Sequence, residues 1–217
     1  MIMRNFCLAF VSVFILGSVN LLHAQSLIIS EYCEYNHNAS EPPTFNHYIE
    51  LYNPSNKTVD MTHYQLWRAR DGGGWNINNG DAVKPLDLTG TLAPQGTYVI
   101  TRPHSDEKPV IIKGQISWNF LNISGNDAIG LAQKNDSGEF LLIDVIGTPG
   151  KAPKTAWAVA GIAKATKDHT LLRKPSVCEP TTDWAKSAGT DAENSQWIVK
   201  DENDISDVSQ HHAVCGK

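Results

Sequence analysis

A chain of 217 residues with formal net charge −5 is long enough for one sizeable core, and β-sandwiches of this length commonly form a single domain. Its mild acidity disfavours non-specific binding to nucleic-acid phosphates, which needs a basic surface, although a local basic patch remains compatible with it. Nucleic acid is therefore a partner that the net charge does not support.

The first 24 residues read as a targeting segment. Arg4 supplies a positive start, residues 6–19 form a short apolar run, and Leu22-His23-Ala24 offers a small residue at the cleavage point. Gln25 rather than Cys follows, which speaks against a lipoprotein anchor. The expectation is a secretory signal peptide over residues 1–24, export to the periplasm or the outside of the cell, and no stable membrane insertion. Cys7 leaves with that peptide, so Cys33, Cys178 and Cys215 remain. Export implies an oxidising compartment. Cys178 and Cys215, which flank the C-terminal region, are the preferred disulfide, and closing such a loop contributes about 3–4 kcal/mol in the chain-entropy picture. Cys33 then reads as a buried small hydrophobe, with a reactive thiol or an intermolecular bridge as the alternatives.

Residues 27–35 are the first predicted strand, with Leu27, Ile29, Glu31 and Cys33 on one face and Ile28, Ser30, Tyr32 and Glu34 on the other. Residues 47–52 alternate more cleanly: Ile49 and Leu51 share one face, Tyr48, Glu50 and Tyr52 the other. Asn53-Pro54 ends that strand, because Pro cannot donate to a ladder. A further segment covers residues 64–67. Gly72-Gly73-Gly74 breaks regular structure, and the polar run 76–81 predicts an exposed loop or loose hairpin. Residues 97–101 form a strand after the tight turn Ala93-Pro94-Gln95-Gly96. Residues 118–123 are ordered but not a strand. Asn135-Asp136-Ser137-Gly138 joins residues 128–132 to residues 140–146, the most apolar strand of the chain. Residues 151–217 differ in texture, yet three of the six Trp fall there, so this region is expected to pack on the sandwich. A short helical turn is predicted over residues 163–168.

Several phrases, taken together and in order, resemble the lamin-tail domain family of secreted bacterial type. They are Ile28-Ile29-Ser30-Glu31-Tyr32, Tyr48-Ile49-Glu50-Leu51-Tyr52-Asn53-Pro54, the step Val59-Asp60-Met61 into Tyr64-Gln65-Leu66, and Leu92-Ala93-Pro94-Gln95-Gly96 running into Tyr98-Val99-Ile100. Thr170-Leu171-Leu172-Arg173-Lys174-Pro175 and Ser195-Gln196-Trp197 resemble the extension of the secreted members. The resemblance implies an all-β, immunoglobulin-like β-sandwich over residues 25–150, with 151–217 as a C-terminal extension packed on it. It implies no catalytic centre and no cofactor. The insertion at residues 36–45 and the tail 201–217 have no counterpart in the resemblance.

Glu31 and Glu50 fall in neighbouring strands, and two carboxylates side by side can do acid–base work or hold a hard cation. The blander expectation is structural: they anchor loops or pair with an arginine, with Arg173 as the candidate. Losing one side of a buried pair of that kind would cost about 3–5 kcal/mol. Cys33, Glu34, His37 and His47 are metal-ligand types without the short paired spacing of a zinc site, so no metal site is assigned. Trp67, Arg68, Arg70 and Trp75 around the glycine run are the candidate ligand surface, because rings beside cations suit sugars or single-stranded nucleic acid. The function expected is an exported, non-catalytic binding module for a protein or polymer at the cell surface. The alternative is an accessory of extracellular nucleic-acid degradation.

Overall fold

Period-two alternation decides the architecture. Ile49 and Leu51 turn inward and Tyr48, Glu50 and Tyr52 outward, so one strand can be hydrogen-bonded at both edges and covered on both faces. A computed structural model of the protein describes residues 26–39, 41, 43–75 and 83–215. The expected signal peptide and the polar run 76–81 lie outside these described residues.

In chain order the strands are β1 (Ile28–Cys33), β2 (Tyr48–Tyr52), β3 (Val59–Asp60), β4 (Tyr64–Ala69), β5 (Leu86–Asp87), β6 (Thr91–Leu92), β7 (Thr97–Thr101), β8 (Ile116–Ser117), β9 (Ala128–Lys134), β10 (Phe140–Ile146), β11 (His169–Arg173) and β12 (Trp197–Glu202). A six-stranded sheet has the order β12-β11-β1-β2-β7-β8, a four-stranded sheet the order β10-β9-β4-β5, and β3 pairs with β6. Leu27, Ile29, Tyr32, Ile49, Leu51 and Leu171 of the first sheet meet Tyr64, Leu66, Ile129, Leu131 and Val145 of the second in the main core. The fold is an immunoglobulin-like β-sandwich, as the sequence predicts. Burying each such aliphatic side chain contributes about 1.5–3 kcal/mol.

The C-terminal extension does more than pack on the sandwich. β11 lies between β12 and β1, pairing Glu31 with Leu172 and Cys33 with Thr170. β1 is thereby an interior strand.

The structure corrects two expectations. The strict alternation assigned to residues 27–35 fails, because the β1–β2 register shifts between Ile29 and Glu31. A bulge of this kind inserts one unpaired residue and flips the parity of the residues beyond it. Tyr32 therefore joins Leu27 and Ile29 in the core, while Glu31 and Cys33 face the other way. The helical turn predicted at residues 163–168 is a run of turns, since Lys164 and Asp168 sit at positive φ and cannot continue a right-handed helix. The α-helix among the described residues, α1 (Trp184–Ala188), starts instead where Asp183 accepts a hydrogen bond from the Lys186 amide.

Candidate functional site

The site begins at the end of β4. Arg68 has the same parity as Tyr64 and Leu66, so its side chain turns inward at the rim of the core instead of out to solvent. There its Nε and Nη2 donate to Asp127 Oδ2 at 3.0 and 2.7 Å, and its Nη1 donates to the Phe120 carbonyl at 2.6 Å. Asp127 is fully buried and serves three segments at once. Its Oδ1 accepts from the Asp71 amide at 2.8 Å, and its Oδ2 accepts from the Ser124 amide at 2.8 Å. Asp71 sits at φ 49°, an unfavourable backbone for a residue with a side chain, and the hydrogen bond its amide donates to Asp127 helps hold it there. Gly72 is next, at φ +81°, where an added Cβ would come within 3.0 Å of the Ala152 Cβ, so the glycine run is docked on residues 150–152.

The result is a pocket of about 350 Å³ lined by Arg68, Arg70, Asp71, Asn119, Phe120, Asn122, Ile123 and Ser124. Arg70 is 68% exposed and touches Asp71 at 3.1 Å, and Phe120 is 40% exposed beside it. The two guanidinium groups are matched by two carboxylates, Asp71 and Asp127, within the same cluster.

The four residues expected to form the ligand surface are separated. Arg68 and Arg70 line the pocket, whereas Trp67 and Trp75 do not. Trp67 is buried, with its Nε1 donating to Gln65 Oε1 at 2.9 Å. The Trp75 ring lies 6.0 Å from it, against the backbone of Gly130. Rings spent on packing do not offer a stacking platform. Asp127, Asn119, Phe120 and Asn122 are not legible as site residues from the sequence. Asp127 reads there only as part of a turn in Gly125-Asn126-Asp127.

Glu31 and Glu50 are brought together as direct cross-strand partners, both fully buried. Arg173 does not join them, which corrects the expected pairing. Arg173 sits one residue past Leu172, the partner of Glu31, so it faces the opposite side of the sheet. There Nη2 donates to Asp144 Oδ2 at 2.5 Å, Nε to the Ile29 carbonyl at 3.0 Å, and Nη1 to Ser187 Oγ and Gln196 Oε1. Its guanidinium also lies 4.0 Å from the Trp197 ring centre. Asp144 accepts in addition from the Ile29 amide, so this pair ties β10 of one sheet to β1 and β11 of the other.

The glutamates have a poorer environment. Glu50 accepts from Ser30 Oγ at 2.7 Å and from the Ser209 amide at 2.6 Å. Neither oxygen of Glu31 has a hydrogen-bond partner among the described residues, and the Tyr48 hydroxyl faces it without closing a bond. Burial first, and then the Glu50 charge, pushes the Glu31 carboxyl up to about 8. Burial likewise raises Glu50 to about 7, against the bonds from Ser30 and Ser209.

Cys33 is a buried free thiol whose ionisation burial opposes, and Cys178 and Cys215 form the disulfide. Of the metal-ligand types, Glu34 accepts from the Asp168 amide and His47 Nε2 lies 3.1 Å from the Tyr35 carbonyl. Among the described residues no group of three or more His, Cys, Asp or Glu is placed to hold a metal ion. No helix among them is long and apolar enough to cross a membrane.

A sandwich with almost no helix that holds out a braced loop pocket defines the class: an immunoglobulin-like interaction module. The Lamin Tail Domain family matches residues 23–150, and the chain belongs to that family. No curated protein matches the chain.

Proposed function

We propose that this chain is an exported, non-catalytic interaction module of the secreted bacterial lamin-tail type, and that it takes its ligand in the Arg68–Phe120 pocket. The construction of that pocket carries the reading. A buried Arg68–Asp127 pair braces it, while Arg70, Asn119, Phe120 and Asn122 stand exposed around it. Because Asp71 and Asp127 balance the two arginines, the pocket has little net attraction for a polyanion. One exposed ring beside amides and a guanidinium suits a neutral, hydroxyl-rich ligand with one apolar face, namely a sugar unit of a surface polymer. The Cys178–Cys215 disulfide favours an oxidising compartment, in line with the N-terminal targeting pattern.

The nuclease-associated alternative finds less support, because Trp67 and Trp75 are used in packing. The test is an NMR titration of the labelled protein with soluble oligosaccharides. Amide shifts confined to residues 68–72 and 118–124 are expected, with binding weakened about tenfold in Arg70→Ala and nearly independent of salt. Salt-dependent binding to single-stranded DNA without any response to oligosaccharides would sink the proposal in favour of the alternative.

A further inference from the structure

The outer face of the six-stranded sheet is not open to solvent. Residues 203–215, largely turns without a strand or helix, run across it. Ile205 and Val208 pack on Cys33, Tyr35, Tyr48 and Val99, forming a second, smaller core. The Ser209 amide caps Glu50, at φ +65° for Ser209. Asn203 is clasped by Asn36: the Asn36 amide donates to Asn203 Oδ1 at 2.7 Å, and Asn203 Nδ2 returns a bond to the Asn36 carbonyl at 3.0 Å. His211 sits edge-on to Tyr52 at 4.7 Å, and the far end is held by the Val214 amide on the Pro175 carbonyl and by Cys215 bonded to Cys178.

We infer that residues 203–215 are a strap that closes over the Glu31–Glu50 pair, latched covalently at its end by Cys178–Cys215, and that it lifts when the two carboxyls ionise. The groups around the pair come from every neighbouring element. β1 supplies Glu31 and Cys33, and β2 supplies Glu50 and Tyr48. β7 brings Val99 and no charge, and β11 brings the Thr170 hydroxyl. β12 supplies Lys200, whose ammonium is 2.6 Å from Asp207 and 3.3 Å from Asp204 of the strap. The strap adds Asp204, Asp207, His211 and His212. The single ammonium is therefore shared between two strap carboxylates, and the buried pair has no cation of its own among the described residues. An ionised Glu31 would face Glu50 and Asp207 with neither oxygen hydrogen-bonded.

The raised carboxyls set the sign. Glu31 and Glu50 hold their protons in the closed state to about pH 8 and about pH 7, against a usual 4.5. Closure is fully favoured below the usual carboxyl range and weakens as pH rises through those values. His211 acts in the opposite direction and lower down. Burial, then Arg173 and His212, holds it near 4, so its stabilising effect is lost as pH falls through that value.

Cys33 reports the strap directly, since it is a buried free thiol beneath Ile205 and Val208. The experiment is alkylation of Cys33 in the full protein, mapped by mass spectrometry at about pH 6 and about pH 9, with each rate divided by that of the same chain in denaturant at the same pH. This ratio cancels the ordinary rise in thiolate with pH. Protection in the wild type is expected to fall about tenfold or more over that range, and further in Cys178→Ser/Cys215→Ser. Glu31→Gln should lose less protection than the wild type over that range, with Glu50→Gln as the second variant should the first not fold. Parallel amide exchange of β7 and β10, with each rate divided by the intrinsic rate at the same pH, should lose less protection than Cys33 does, which separates strap opening from unfolding. Wild-type protection that does not vary with pH, or that falls equally in both glutamine variants, overturns the proposal.

Discussion

The two faces of one sheet bury carboxylates in opposite ways. On the inner face Asp144 meets Arg173, and the surrounding donors and acceptors from Ile29, Ser187, Gln196 and Thr181 complete the set. On the outer face Glu31 meets Glu50 and a tyrosine hydroxyl, with no guanidinium among the described residues bonded to either carboxyl. Both sites exclude water, so the difference lies in the partners. A buried carboxylate supplied with a cation and backbone amides can be a permanent tie between sheets. One left without them becomes a group that answers to pH.

The largest expected effect sharpens the inner half of this contrast. Arg173→Met leaves Asp144 buried without its cation, and Asp144→Asn removes the charge from the other side. Each should lower stability by about 3–5 kcal/mol in urea denaturation. A loss under about 1 kcal/mol would mean that the tie is replaceable. Next comes the disulfide. The Cys178→Ser/Cys215→Ser variant releases a closure of 37 residues and should cost about 2–4 kcal/mol. That loss should be accompanied by amide exchange in residues 203–215 rather than in the main core.

The outer pair gives a slope instead of a step. Glu31 binds its proton more tightly folded than unfolded, so wild-type stability should fall with rising pH between the usual 4.5 and about 8, by up to about 1.4 kcal/mol per unit. Glu31→Gln removes the Glu31 share of that slope and leaves the share of Glu50, whose carboxyl burial raises to about 7, and a pH series of denaturation midpoints measures the difference. An unchanged slope would show that Glu31 is ionised when buried. The smallest effect is expected at the surface. Arg70 and Asp71 are 68% and 62% exposed, so Arg70→Ala should leave the melting temperature nearly unchanged, within about 0.5 kcal/mol, while weakening ligand binding.

Much of this fold can be read from the chain because its strands alternate cleanly. β2, β7 and β10 lie where the apolar spacing puts them, and the turn at Asn135–Gly138 does what Asn and Gly suggest, with Gly138 at φ +84°. The errors arise where one residue changes parity or a partner comes from far along the chain. The bulge before Glu31 inverts the assignment of Tyr32, and no local pattern announces a bulge. Arg173 can be matched to a glutamate by chemistry, but its face is set by register with β1, some 140 residues earlier. Asp144 does carry a signal in the sequence: a lone carboxylate inside an apolar strand has to have a partner. The pocket is half legible. Its arginines stand out beside the glycines, whereas Asn119, Phe120 and Asn122 come from a loop some 50 residues on that Arg68 reaches at the Phe120 carbonyl. The strap is illegible because its hydrophobic contacts, Ile205 and Val208, are too few to make a period.

The place of β11 in the sheet order bears on where this protein can be cut. The family match ends at residue 150, yet the strand that covers the free side of β1 begins at His169. A fragment trimmed to the match would leave the amides and carbonyls of Ile28–Cys33 along an uncovered edge, flanked by apolar side chains, which is a template for joining copies edge to edge. Recombinant work, interaction screens and transplantation into fusion proteins should therefore carry the chain through Cys215, since the strand that covers β1 and the disulfide both lie beyond the end of the family match.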